Sequence, residues 1–171
     1  MSSESGTVEF ELSPTNSGDH RVRTDTSEVE HHGEASREVI DVPCEALDRL
    51  LDDLPSDFTD DVRLIWIVVQ GHEGQAFLGA RKVLSRGVPV VAEIWPYGVR
   101  RSGMFADEFC RLACDFWSEA WIVRHGRFDP SPVADLAQLF NVPDSRGRFY
   151  ENVIFTGLSH AAVRSEERRV A

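Results

Sequence analysis

Apolar and polar positions alternate along Val8-Glu9-Phe10-Glu11-Leu12, the period-two pattern of a half-buried strand. Pro14-Thr15-Asn16-Ser17-Gly18-Asp19 carries turn chemistry, and Arg21-Val22-Arg23 reads as a returning second strand. Thr24 to Ser36 is polar and acidic and reads as a loop on which His31 and His32 are solvated. Val39-Ile40-Asp41-Val42 predicts a short strand stopped by Pro43. Leu47, Leu50, Leu51 and Leu54 then recur at the spacing of one helical face, bounded by Pro55.

The next segment is the most informative. Leu64 to Val69 is apolar throughout, which is how a parallel strand covered on both faces reads. It drops directly into Gln70-Gly71-His72-Glu73, and a helical face of Ala76, Phe77, Ala80, Val83 and Leu84 follows, with Gly87 placed as its terminal cap. Val88 to Ile94 predicts another buried strand, and Pro96-Tyr97-Gly98 opens a loop. Phe105, Phe109, Leu112, Ala113 and Phe116 mark a third helix, and Trp121-Ile122-Val123 a strand. Ser131-Pro132 reads as the cap and first residue of a helix continued by Val133, Leu136, Leu139 and Phe140. Asn152-Val153-Ile154-Phe155 is the last predicted strand.

Strands alternating with helices imply an α/β fold with a mostly parallel sheet and helices on both faces. Some antiparallel pairing is expected in the strand-rich first third. The organisation expected is a disordered start over residues 1–7, one domain over 8–157 and a polar tail over 158–171.

Composition narrows the function classes. The chain has 171 residues, 42% hydrophobic and 27% charged, with a net charge of −11. That surface repels phosphate backbones, so nucleic acid is not an expected partner. No stretch approaches the roughly 20 apolar residues of a spanning helix, and the start lacks the basic and apolar regions of a secretory signal. Three cysteines, Cys44, Cys110 and Cys114, fit reduced thiols in a cytoplasmic protein. Cys110 and Cys114 share a helical face, but no histidine follows at ligand spacing, so they read as packing residues and no metal site is expected.

Candidate chemistry gathers just past strand ends, where open α/β sheets bind ligands. Gly71 permits a sharp turn, and His72 and Glu73 follow at a helix start. Glu73 also reads simply as a good first-turn residue. Glu93 lies inside an apolar strand, where a carboxylate is costly unless it has a partner or faces a cleft. The turn from Asn16 to His20 could reach the same edge. There is no nucleophile elbow and no phosphate loop.

These residues resemble a known family. Leu64-Ile65-Trp66-Ile67-Val68-Val69-Gln70-Gly71-His72-Glu73 followed by Leu78-Gly79-Ala80 is similar to the "L-I-K-I-D-V-[EQ]-G-H-E … L-x-G-A" signature of FkbM-type methyltransferases. Val42-Pro43 with Ala46-Leu47-Asp48-Arg49-Leu50-Leu51, the segment Val90 to Gly98, and the turn Pro14 to Asp19 agree in order, so the resemblance spans about Val8 to Phe155. It implies a Rossmann-like class I fold and S-adenosylmethionine-dependent methylation of a hydroxyl on a sugar or other small molecule. By motif position His72 or Glu73 would be the base, Glu93, Asn16 and Asp19 would meet the acceptor, and Gln70 and Gly71 would meet the cofactor.

Two departures accompany the match. The family's opening half, with its glycine-rich turn and ribose-binding acid, is not in this sequence. The family's Asp and Lys are Val68 and Trp66. A methyltransferase domain truncated at its start and impaired in cofactor binding is therefore one expectation. A non-catalytic remnant, or a domain completed by a like or unlike chain at an exposed sheet edge, is the second. A simple ligand-binding module using the acidic cleft is the third.

Overall fold

The computed structural model describes residues 1–24, 31–144 and 146–159. The expected polar tail thus lies, from residue 160 onward, outside the described residues, as does part of the loop before Ser36. The described residues form two sheets. In the first, β1 (Gly6–Leu12) is central, with β2 (Arg21–Val22) antiparallel on one side and β3 (Glu38–Cys44) antiparallel on the other. Pro43 does not stop β3; it pairs with Thr7 inside the strand. A residue without an amide hydrogen is tolerated there because β3 is an edge strand.

The chain continues through α1 (Leu47–Asp52) and α2 (Ser56–Asp60) into β4 (Ile65–Ile67). Two short helices, α3 (Glu73–Leu78) and α4 (Arg81–Leu84), replace the single predicted helix and lead to β5 (Val90–Ile94). The predicted loop at Pro96 is instead α5 (Pro96–Arg101), with proline in its first turn. Then come α6 (Ala106–Phe116), β6 (Trp117–Arg124), β7 (Arg127–Pro132), a 3-10 segment Val133–Asn141 and β8 (Glu151–Leu158).

The second sheet has the order β4-β5-β8-β6-β7, and only β4 and β5 run parallel. The expected Rossmann-like, mostly parallel sheet is not what forms. Two local features account for the difference. His125 and Gly126 both adopt positive φ, +48° and +76°, and close a two-residue hairpin between β6 and β7. Ser131 and Pro132, read as a helix start, are the last residues of β7. Strand β8 then inserts between β5 and β6, antiparallel to both.

Nor are both faces of this sheet covered. Ile67, Ala92, Ile122, Val153 and Phe155 point to a core shared with Phe77, Leu84, Phe109, Phe116 and Leu136 from the helical layer. Trp66, on the other face, is 71% exposed. Of the six-residue apolar run, only Ile67 is fully buried. Among the described residues, helices pack on one face alone.

The two sheets are joined through buried charge. Arg21 meets Glu11 at 2.6 Å, Glu34 at 2.9 Å and Asp19 at 3.1 Å. Arg37 holds Asp19 and lies 3.5 Å from Glu11. From α5 of the other unit, Arg101 comes within 3.8 Å of Glu34, and the Tyr97 hydroxyl donates to the same carboxylate. Removing any one partner would leave a buried charge uncompensated, which is more costly than the pair is stabilising.

A candidate site in the cleft between the sheets

The parallel pair β4 and β5 delivers its carboxyl ends to one place, facing the turn that follows β1. A cleft of about 480 Å³ lies there. Glu93 and Trp95 line it from the end of β5, and Gln70 from the end of β4. Asn16, Gly18 and Asp19 line it from the 3-10 turn Ser17–Asp19 of the first sheet, and His32 from the loop beyond. Gly147, Arg148 and Tyr150 close the remaining side.

The wall residues are firmly placed. Asn16 caps its turn by accepting from the Gly18 amide at 3.0 Å. Asp19 is neutralised by Arg21 and Arg37. Trp95 donates its indole N–H to the Gly147 carbonyl at 2.6 Å, and the Arg21 guanidinium lies 5.0 Å over its ring. His32, expected to be solvated, packs edge-on against Trp95 and bonds to the Gly147 carbonyl through Nε2 at 3.1 Å. Glu93 differs from these: its carboxylate is half-buried and in no ion pair among the described residues, and burial raises its pKa. It is a carboxylate that the cleft leaves available.

The Gln70-Gly71-His72-Glu73 turn divides between this cleft and the interior. Gln70 takes φ +53° and Gly71 φ +94°, which swings the chain back into α3. Glu73 is completely buried; its Oε1 accepts from the Val69 amide at 3.0 Å and its Oε2 is buried without a partner. Burial first, and the nearby Glu93 charge after it, raise its pKa to about 7 against the lowering effect of backbone hydrogen bonds. His72 turns the other way. Its Nε2 meets the Ser2 hydroxyl at 3.1 Å, and Nδ1 is buried without a partner. Burial, with a smaller contribution from the N-terminal amine, lowers its pKa to about 4. Ser2 itself is buried, although the residues around it were expected to be disordered.

Of the sequence-predicted residues, the fold thus brings Asn16, Asp19, Gln70 and Glu93 to one cleft. It sets Glu73 beneath it and His72 beside it, on a separate water-sized hollow also lined by Arg21, Arg101 and Ser102. Sequence reasoning missed His32, Arg148 and Tyr150 as cleft residues. The one available signal was the polar, glycine-containing stretch before β8, which reads as an ordinary loop.

The residues do not fit a methyl donor at the Gln70-Gly71 turn. A side chain on Gly71 would fall inside the Gly98 backbone, so the glycine serves close packing of two loops rather than approach by a ligand. Val68, at the strand end, is 47% exposed and offers no hydrogen-bond acceptor in its side chain. Among the described residues no group of His, Cys, Asp and Glu is placed to hold a metal ion, and no helix is long and apolar enough to cross a membrane. Compared with known proteins, the chain matches no family, no curated relative and no solved structure.

Proposed function

We propose that this chain is the acceptor-binding part of an FkbM-like, S-adenosylmethionine-dependent O-methyltransferase, and that its cleft takes a sugar or other polyhydroxylated small molecule. One observation carries the reading: Glu93, half-buried and in no ion pair among the described residues, opens on a cleft walled by Trp95, His32 and Tyr150 and by the polar groups of Asn16, Gln70 and Arg148. Flat aromatic walls accept the apolar faces of a sugar ring, and amide, guanidinium and carboxylate groups accept and donate to its hydroxyls. A carboxylate with a raised pKa is suited to take a proton from a bound hydroxyl, so Glu93 is the base in this proposal. Glu73, just beneath, feels the charge of Glu93, which adds to burial in raising the Glu73 pKa.

The methyl donor is assigned no step here, because the residues at Gln70 and Gly71 do not fit it. A donor site supplied by a partner chain is the form of the proposal consistent with that misfit. The second reading, ligand binding without transfer, is favoured by the burial of His72 and Glu73, the two bases suggested by the motif.

Calorimetry on the whole chain separates these readings. N-acetylglucosamine, glucose and inositol are titrated first, and S-adenosylmethionine separately. Binding of a polyol that weakens by about tenfold in Glu93→Gln supports the cleft assignment; one lost hydrogen bond to a charged group is worth that much. No polyol binding at millimolar concentration overturns it. Micromolar binding of the donor by this chain alone would show that the misfit at Gly71 has been misjudged.

A further inference from the structure

The uncovered face of the five-stranded sheet carries an apolar row that the proposed cleft does not use. Cross-strand register places Trp66 beside Val91, Val91 beside Ile154, Ile154 beside Trp121 and Trp121 beside Pro130. All five therefore project from the same face, across a width of about 19 Å at the usual strand spacing. Trp66 is 71% exposed, and Leu64 and Val68, which flank β4, are 53% and 47% exposed. None of the five belongs to the core or packs on it. Strand β4 is also the end strand of its sheet, so its outer edge pairs with no other strand among the described residues. Exposed tryptophan in a contiguous apolar patch marks a recognition surface more often than a solvent-facing one.

Charge says what kind of surface would cover it. The charged side chains on this face of β5, β8 and β6 are Glu93 and Glu119, one on each side of the apolar row, two residues along the strand from Val91 and Trp121. A second copy of the chain would set these acids, and a net charge of −11, against themselves. The geometry points to a different protein as occupant: one that lays an amphipathic helix with an apolar stripe and lysine- or arginine-rich flanks on the Trp66–Trp121 face. Helices already cover the opposite face of the same sheet in this way, and the partner would complete the three-layer arrangement.

The test uses the whole chain and two synthetic amphipathic helices of about 18 residues, long enough to span the row. Both carry a leucine stripe; one has lysine flanks and its twin glutamate flanks. Tryptophan fluorescence and calorimetry are expected to show saturable one-to-one binding of the lysine peptide, weakened about tenfold or more by Trp66→Ser and by raising salt to about 0.5 M, with little binding of the twin. Trp66 is exposed, so its replacement leaves the far-ultraviolet dichroism unchanged; Trp121→Ser is a second variant, used if it keeps that spectrum. Equal binding of the two peptides overturns the proposal, as does binding indifferent to Trp66→Ser. So does sedimentation that finds a dimer of this chain abolished by Trp66→Ser, because a second copy would then be the occupant.

Discussion

The Tyr97 hydroxyl donates to Glu34 Oε1 at 2.5 Å, and Arg21 Nη2 reaches the same oxygen at 2.9 Å. One carboxylate thus joins α5, from the five-stranded unit, to β2 of the three-stranded sheet. The cleft lies between these two units, so this contact ties together the two bodies that wall it.

Tyr97→Phe tests that relationship. It removes a hydrogen bond to a buried charged group and is expected to cost about 1.5–3 kcal/mol in urea denaturation. The pH dependence should change as well. Burial works to raise the Glu34 pKa, but hydrogen bonds from Tyr97 and the backbone, with the Arg21 charge, overcome it and hold it at about 2. A depressed carboxylate stabilises above its unfolded pKa, near 4.5, and that contribution is lost as pH falls through 2. Tyr97→Phe should move acid unfolding to higher pH. A variant as stable and as acid-resistant as the parent would mean that Glu34 does not depend on this contact.

Glu73 and His72 give opposite pH slopes. Glu73 is raised from 4.5 to about 7, so its stabilising, protonated form is lost as pH climbs through 7. His72 is lowered from 6.5 to about 4, so its stabilising, neutral form is lost as pH falls through 4. Between about 4.5 and 6.5 the two largely cancel. Glu73→Gln keeps the shape without the charge. Above pH 7 it should be more stable than the parent by about 3 kcal/mol, the equivalent of the shift. Below pH 4.5 the gain should vanish. Thermal melts across this range check it, and a gain of the same size at every pH would show that Glu73 carries no proton in the folded state at neutral pH.

Much of the site was legible because strand ends and turns have strong local signatures. Glu93 stands out as a carboxylate in an apolar strand, and Asn16 to Asp19 as a turn. Their meeting in one cleft follows from the parallel β4–β5 pair, the one parallel pairing that formed. What sequence could not carry was pairing partner and orientation. Nothing local says that β8 inserts between β5 and β6, and once it does the sheet is mostly antiparallel. The hairpin at His125-Gly126 was missed because histidine at positive φ is a tertiary outcome rather than a turn signal. His72 looked like a surface side chain beside the cleft, yet its orientation is set by Ser2, 70 residues away in sequence.

Gly71 offers a steric test of the turn beneath the cleft. Its φ of +94° disfavours any side chain, and the Gly98 backbone occupies the space a Cβ would need. Gly71→Ala should cost about 2–4 kcal/mol, combining backbone strain with displacement of packed chain. Gly103, at φ +82° with open space around it, is the control: Gly103→Ala bears the strain alone and should cost about 1–2 kcal/mol. Equal losses at the two positions would mean that the Gly71–Gly98 approach relaxes without penalty.

Trp66 and Ile67 are neighbours in the apolar run but face opposite sides of β4, 71% and 1% exposed. Burial on both faces, as the uninterrupted run suggests, would make truncation of either one severe. The one-sided sheet makes a different prediction. Ile67→Ala opens a cavity in the helix-covered core and should cost about 2–5 kcal/mol. Trp66→Ser, with little packed against it, should change stability by no more than about 0.5 kcal/mol. Urea denaturation of the two variants at equal protein concentration decides between them. A loss of several kcal/mol in Trp66→Ser would show that this face is covered in the free protein, which would remove the reason to seek a partner there while leaving the cleft at Glu93 untouched.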